Sequence, residues 1–344
     1  MTHLTRNLTR RATLGGLAAS AAALGLAAPA IAQGRKIVLG ALSFTSHAGT
    51  FVATERAYFK EAGLDVEIRF FEAAQPMAVA IASGDVDFAV AAISGGLVSL
   101  ADKGALKVIG GALTEEPGID GQKFLVSDAA FKAGITSPAM LDGKRYGIST
   151  AGSSFQYQGA KMAAAEGISL EFVPLQKVGA IIGALKTGQI DAWSIVPHIA
   201  KPLAAGGEVH IIGDVATYLP EYQVTTVCTS AKNASGEKQM TMDYLAAYAR
   251  GVADYNAAMI AGDGGEAARD EMVALLHKYV YADRPIEKAA QPIIEGTMRL
   301  NEGAKLNVAS VRDQLEWFQA EDLVGKDIPL DALIDTSFVE TVDA

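Results

Sequence analysis

The side chains of this sequence that could handle a small molecule are hydroxyls, imidazoles and amides standing at the ends of apolar runs. Gly152-Ser153-Ser154 precedes an Ala-rich stretch of helical character. There a serine hydroxyl can accept an orphan amide hydrogen bond and start the helix. The same free amides, with the helix dipole behind them, can bind an anionic group. Both roles are open to Ser153 and Ser154. Ser94-Gly95-Gly96 has the same dual character, the glycines allowing close backbone approach. His47 follows Phe44 and Ser46 in a polar loop behind a first apolar run, and His198 follows Pro197 behind a later one. A neutral imidazole at such a place can donate or accept; His210 and His277 have no comparable setting. Gln75 stands at the start of a helix-like run, where it can cap or bind. Trp193 and Tyr222 are the aromatic candidates, although Trp193, two residues after Asp191 in a strand-like run, is equally suited to core packing.

Other chemistries lack their residues. GAIIGALKT at 179–187 has the wrong spacing for a phosphate loop, and GDGGE at 262–266 is too short for a calcium loop. There is no His-Glu-x-x-His, Cys-x-x-Cys or Gly-x-Ser-x-Gly. The single cysteine, Cys228, excludes an internal disulfide and any multi-cysteine metal site, and its apolar neighbours suit a core position. No cofactor is expected. With 344 residues, half of them apolar and 20% charged, the chain can bury a sizeable core. A net charge of −10 with no long basic run argues against nucleic acid, and it means that any affinity for anions must be local.

The elements that must position these residues are repeated. Gly63 and Gly167, and Gly84 and Gly188, are each separated by 104 residues, an offset that also sets Phe51 on Phe155 and Ser94 on His198. Each half reads as strand, polar loop, helix, Gly turn, strand, helix, Gly turn, strand. In the first half the strands are 36–40, 64–70 and 86–93, and the helices 49–60 and 74–83. This alternation predicts βαβ units and a mainly parallel sheet in each half. Asp87 and Asp191, equivalent under the repeat, suit a structural role. A strand at 223–229 and helices at 240–260, 266–280, 285–301 and 308–320 complete the chain. Crossings near 113–124 and 220–229 give lobe 1 as 33–118 with 226–344, lobe 2 as 119–225, and a hinge with a cleft between them. Ligands of open α/β sheets sit outside the carboxyl ends of strands, which selects the loops at 43–47, 93–96, 151–154 and 197–198. Residues 1–32 hold Arg6, Arg10 and Arg11, no acid, and an Ala-rich apolar run ending Ala30-Ile31-Ala32. They read as a twin-arginine-type signal peptide cleaved after Ala32, with a retained anchor as the alternative.

In order and spacing, SHAGTFVATERAYFKEAGLDVE, ASGDVDFAV, LDGKRYGISTAGSS, LKTGQIDAW and the tail IDTSFVETV resemble the periplasmic solute-binding proteins of ABC importers. The subgroup is the one that takes up nitrate, sulfonates, taurine and thiamine-pyrimidine precursors. The resemblance implies an α/β, two-lobed periplasmic-binding-protein type II fold with a two-crossing hinge. It further implies a small-molecule ligand, a membrane permease as partner, and a monomer in the periplasm rather than an enzyme. The residues expected at the ligand are Phe44, Ser46, His47, Gln75, Ser94, Gly95, Ser153, Ser154, Trp193, His198 and Tyr222. A sulfonate- or carboxylate-type anion is the first ligand class. A thiamine-pyrimidine precursor or other aromatic heterocycle is the second, since related binders carry Asn-His where this chain has Ser46-His47. A periplasmic enzyme using the same cleft is the rival class, but the pyrimidine-synthase relatives use a cysteine-rich motif and this chain has Cys228 alone.

Overall fold

The computed structural model describes residues 34–342. The signal segment expected at 1–32 lies outside the described residues. No helix among them is long and apolar enough to cross a membrane.

The first stretch runs β1 (Arg35–Ala41), α1 (Ala48–Glu55), α2 (Tyr58–Glu61), β2 (Leu64–Phe70), α3 (Ala74–Ser83), β3 (Phe88–Ala91), α4 (Gly95–Asp102) and β4 (Leu106–Thr114). The second runs β5 (Lys123–Ser127), α5 (Asp128–Lys132), β6 (Lys144–Ile148), α6 (Ser154–Glu166), β7 (Leu170–Pro174), α7 (Val178–Lys186), β8 (Ala192–Ile195), α8 (Pro197–Ala205) and β9 (Val209–Asp214). The chain then returns through β10 (Gln223–Ser230) to α9 (Ala231–Gly236), α10 (Lys238–Asn256), α11 (Gly265–His277), α12 (Ile286–Glu295) and α13 (Val308–Ala320). Two five-stranded sheets result, ordered β2-β1-β3-β10-β4 and β7-β6-β8-β5-β9.

Strand by strand the sheets correspond, as the repeat requires. Gly84 and Gly188 both lie in the turn from helix into the third strand of the repeat in the left-handed conformation, at φ 84° and 70°. Asp87 accepts the Val38 amide at 2.8 Å and Asp191 the Arg145 amide at 2.9 Å, each tying the entry of the third strand to its parallel neighbour. Both acids are therefore structural.

Both sheets are mixed: in each, four of the five strands run parallel, as expected, and one runs against them. β10 is antiparallel to β3 and β4, and β5 is antiparallel to β8 and β9. The crossings explain this. A chain that leaves one sheet at the carboxyl ends of its parallel strands enters the next at the same edge, so the arriving strand must run away from it.

Two helices differ from expectation for tertiary reasons. The run at 49–60 breaks at Ala57, which takes φ 60°; Tyr58 then hydrogen-bonds Asp254 and lies under the Arg250 guanidinium, 3.8 Å from the ring centroid. The run at 285–301 ends at Glu295, and Gly296 beyond it packs so tightly on His198 that a side chain there would meet the His198 Cα at 2.4 Å. The C-terminal helices pack on the first sheet: Tyr244 of α10 stacks on Phe88 at 4.0 Å and on Phe59 at 5.3 Å.

Candidate functional site

The carboxyl ends of the parallel strands of both sheets meet at one cavity. Leu42 follows β1, Ala73 lies beyond β2, Ile93 follows β3, Ser149 follows β6 and Val196 follows β8; all line it. The space open to the centre of a water-sized sphere is about 70 Å³, room for about five waters or a compact ligand.

Each of these strand ends leads into a helix, so helix N-termini converge here. Ser46 and His47 precede α1; Ala73, Ala74 and Gln75 open α3; Ser94 caps α4. From the second lobe Ser153, Ser154 and Phe155 open α6, Val178 opens α7 and Val196 precedes α8. The first amides of a helix have no intrahelical partner and carry the positive end of its dipole. No Asp, Glu, Lys or Arg lines the cavity among the described residues.

The two serine sites differ. Ser94 caps α4, its Oγ accepting the Leu97 amide at 3.2 Å and donating to Gln75 Oε1 at 3.1 Å. Ser153 occupies the N-cap of α6 but makes no capping bond. Ser153-Ser154-Phe155-Gln156 has the spacing of a capping box, yet neither half forms: Gln156 Oε1 accepts the Gly152 amide, one residue before the N-cap, at 2.7 Å, and the Ser153 amide donates to the Thr150 carbonyl. The Ser153 residue is 5% exposed and its hydroxyl has no partner. A buried polar group is normally satisfied, so this hydroxyl stands ready for something in the cavity.

His47 is buried, and burial pushes its imidazole down to about 3. Its Nδ1 accepts the Leu42 amide at 3.4 Å, which makes Nε2–H the donor of the neutral ring. Phe44 and Phe155 supply apolar walls, Phe155 being backed edge-on by Trp193 at 5.4 Å between centroids.

The lobes touch at the rim. The Gly95 amide, opening α4, donates to the Gly152 carbonyl at 2.9 Å, and exposed Lys177 pairs with Glu72 at 3.2 Å. Gly95 thus joins the lobes rather than lining the cavity. Trp193 is wholly buried in the second sheet, and Tyr222 packs behind the cavity against Tyr157 at 5.3 Å. His198 is also outside. The loop after β8 is two residues shorter than that after β3, so the residue equivalent to capping Ser94 is Val196 and His198 falls within the first turn of α8.

Five polar lining residues escape sequence reading, Thr225 at the start of β10 among them. Ser149 and Thr150 end β6 and its loop. Gln158, four residues past Ser154 on α6, could have been found from helical spacing. Gln122 lies between the sheets, and no local pattern marks it. Its amide donates to Glu115 Oε1 at 3.0 Å, and burial raises that carboxyl to about 7. Among the described residues no group of three or more His, Cys, Asp or Glu could hold a metal ion.

Curated protein sequences give no match to the chain. Solved structures do. The alkanesulfonate-binding protein SsuA from Xanthomonas axonopodis pv. citri, bound to MOPS, superposes with a TM-score of 0.69 at 16% identity, over 89% of this chain and 99% of its own. The periplasmic aliphatic sulphonate-binding protein SsuA from Escherichia coli gives 0.68 at 16% identity, over 90% and 94%. The periplasmic nitrate-binding protein NrtA from Synechocystis PCC 6803 gives 0.70 at 11% identity, over 87% and 85%. At these identities the likeness is one of fold, the two-lobed periplasmic-binding-protein fold. In sequence, the NMT1/THI5-like family profile matches residues 44–258, and the chain belongs to that family.

Proposed function

We propose that the protein is the solute-binding component of an ABC import system, which captures a small organic anion of sulfonate or carboxylate type between its lobes. The observation that carries this is the convergence of six helix N-termini, with an unpartnered serine hydroxyl, on a cavity lined by no charged side chain among the described residues. Each N-terminus favours a negative charge by about 0.3–1 kcal/mol, so together they offer several kcal/mol without one ionic partner. Ser153, Ser154 and the first amides of α6 hold the head group, with Ser46, Gln75 and Ser94 on the facing lobe. A ligand bridging both lobes favours the closed arrangement, the form in which an export-directed, monomeric binding protein would meet its permease in the periplasm.

A neutral aromatic heterocycle of the thiamine-pyrimidine kind is the second reading, favoured by the Phe44 and Phe155 walls and the His47 donor. Catalysis has weaker support: among the described residues His47 is the one titratable lining group, and Cys228 is buried in the first sheet with its thiol pushed up to about 12.

A thermal-shift series with methanesulfonate, acetate, nitrate and a 4-aminopyrimidine tests the reading, since a ligand raises the melting temperature by mass action. Methanesulfonate or acetate should stabilise in a saturable way and be recovered unchanged. Stabilisation by the pyrimidine alone, or turnover of the added compound, would replace the reading.

A further inference from the structure

A buried polar chain ends at the cavity beyond the head-group site. The hydroxyl of Tyr146 in β6 donates to Ser194 Oγ in β8 at 2.6 Å, and Ser194 donates to Gln158 Oε1 in α6 at 2.5 Å. The Gln158 amide then donates to Gln122 Oε1 at 2.8 Å. Tyr146 and Ser194 are wholly buried, while Gln158 and Gln122 are 1% and 2% exposed and line the cavity. Gln122 Oε1 is thus taken up by Gln158, and Gln122 Nε2 donates no hydrogen bond to a protein acceptor among the described residues. The Gln122 backbone is itself pinned, its amide to Glu115 Oε1 at 3.0 Å and its carbonyl to the Val215 amide at 2.9 Å. Residues 115 and 215 belong to the two segments that cross between the sheets.

This arrangement is costly without a purpose. Buried amides need their full complement of bonds, and a chain of four side chains that leaves its last donor facing a cavity has an open position for an acceptor. Gln158 lies four residues beyond Ser154 on one helix, about 6 Å along its axis. The cavity therefore carries two distinct polar stations: the α6 N-terminus with Ser153, and the amide pair one turn deeper toward the crossings.

We propose that Gln122 and Gln158 are specificity-determining residues that read a hydrogen-bond acceptor on the ligand about one helical turn from its anionic head. The inference rests on the anion reading given above and narrows it. The preferred solute is bifunctional, with a hydroxyl, carbonyl or similar group across a spacer of about three carbons. Ser194 and Tyr146 act as positioning residues, holding Gln158 so that Gln122 presents a donor rather than an acceptor.

The test uses two probes of equal length and the same head: 3-hydroxypropane-1-sulfonate and butane-1-sulfonate, which differ by a hydroxyl in place of a methyl. Apolar burial alone favours the methyl compound. Calorimetric titration of the whole protein should instead show the hydroxyl compound bound about tenfold more tightly. In Gln122→Leu the order should reverse. Ser194→Ala, which leaves every cavity-lining residue in place, should reduce the preference severalfold while the common sulfonate affinity is kept. Equal binding of the two probes by the unmodified protein, or tighter binding of butane-1-sulfonate, overturns the inference and leaves the anion reading standing. If neither sulfonate binds, the anion reading falls and takes the inference with it. Since the first comparison is made on the unmodified protein, a variant that does not fold cannot decide the matter.

Discussion

Ser153 separates two roles that its sequence position leaves open. A capping serine contributes about 1 kcal/mol to its helix, whereas a buried hydroxyl without a partner contributes nothing and can be removed at no loss. The structure places Ser153 in the second situation. Ser153→Ala should therefore leave the melting temperature of the ligand-free protein unchanged or slightly raised. Its affinity for methanesulfonate should fall about fivefold to tenfold, and further with Ser154→Ala added. A lowered melting temperature with unchanged affinity would return Ser153 to simple capping. Residues such as these were legible because a strand, a Gly turn and a polar N-cap are local signals, and the same holds for His47 and Gln75. Gln122 was not legible, since its place depends on the path of the chain between two sheets. Trp193, His198 and Tyr222 are near the cavity but turned from it, and side-chain direction at strand ends is set by tertiary packing that spacing does not encode.

At the scale of elements, the C-terminal helices fix where the N-terminus of α1, and with it Ser46 and His47, meets the cavity. α1 and α10 cross at Gly49 and Gly251. A side chain at Gly251 would come within 2.4 Å of the Gly49 carbonyl oxygen and 2.7 Å of the Ala53 amide nitrogen. Neither backbone atom can step aside, so Gly251→Ala must part the helices, a strain of about 2–3 kcal/mol. Thermal unfolding should show a drop of several degrees, with weaker methanesulfonate binding as α1 moves. Gly63→Ala is the comparison: its Cβ meets nothing within 4 Å, and only its φ of 76° is unfavourable, about 1 kcal/mol. If Gly251→Ala melts no lower than Gly63→Ala, the crossing is looser than described. Such long-range contacts also mark the limit of sequence reading for elements. The helices 74–83 and 308–320 and the strand 64–70 coincide with α3, α13 and β2 because their periodicity and Gly stops are local. The break at Ala57 and the early end of α12 fall at contacts with a partner 196 residues away in the chain and with the opposite lobe, which no local pattern encodes.

For the molecule as a whole, the proposed closure would be linked to pH through His198, whose Nδ1 meets Thr45 of the first lobe beside the cavity. Thr45 of the first lobe donates its one hydroxyl hydrogen to the Gly296 carbonyl at 3.0 Å, so it can only accept from His198 Nδ1, also at 3.0 Å. Nδ1 therefore carries the proton of the neutral ring, and Nε2 is left as a buried lone pair with no partner. The ring otherwise faces Phe44 at 5.2 Å and Tyr281 at 6.0 Å between centroids, and Arg284 lies beyond Tyr281. Among the described residues no carboxylate pairs with the ring, and burial, with a further push from His47, takes the imidazole down to about 3. Parting the lobes wets the ring and restores a value near 6.5. The closed form thus has its full advantage above pH 6.5 and loses about 1.4 kcal/mol for each unit below it, down to about pH 3. His47 is depressed too, but an anion in the cavity would favour its protonated form and act in the other direction. Glu115, with a raised carboxyl, loses stabilisation as pH rises from its ordinary range to about 7, again the opposite sign. His198→Gln isolates the one contribution, keeping an amide donor for Thr45 while removing the titration. Between pH 7.0 and 5.5 the affinity of the unmodified protein for methanesulfonate should fall about tenfold more than that of the variant. Parallel pH profiles for the two proteins would show that Thr45 and His198 stay together in the open form, and would remove the histidine from the closing equilibrium.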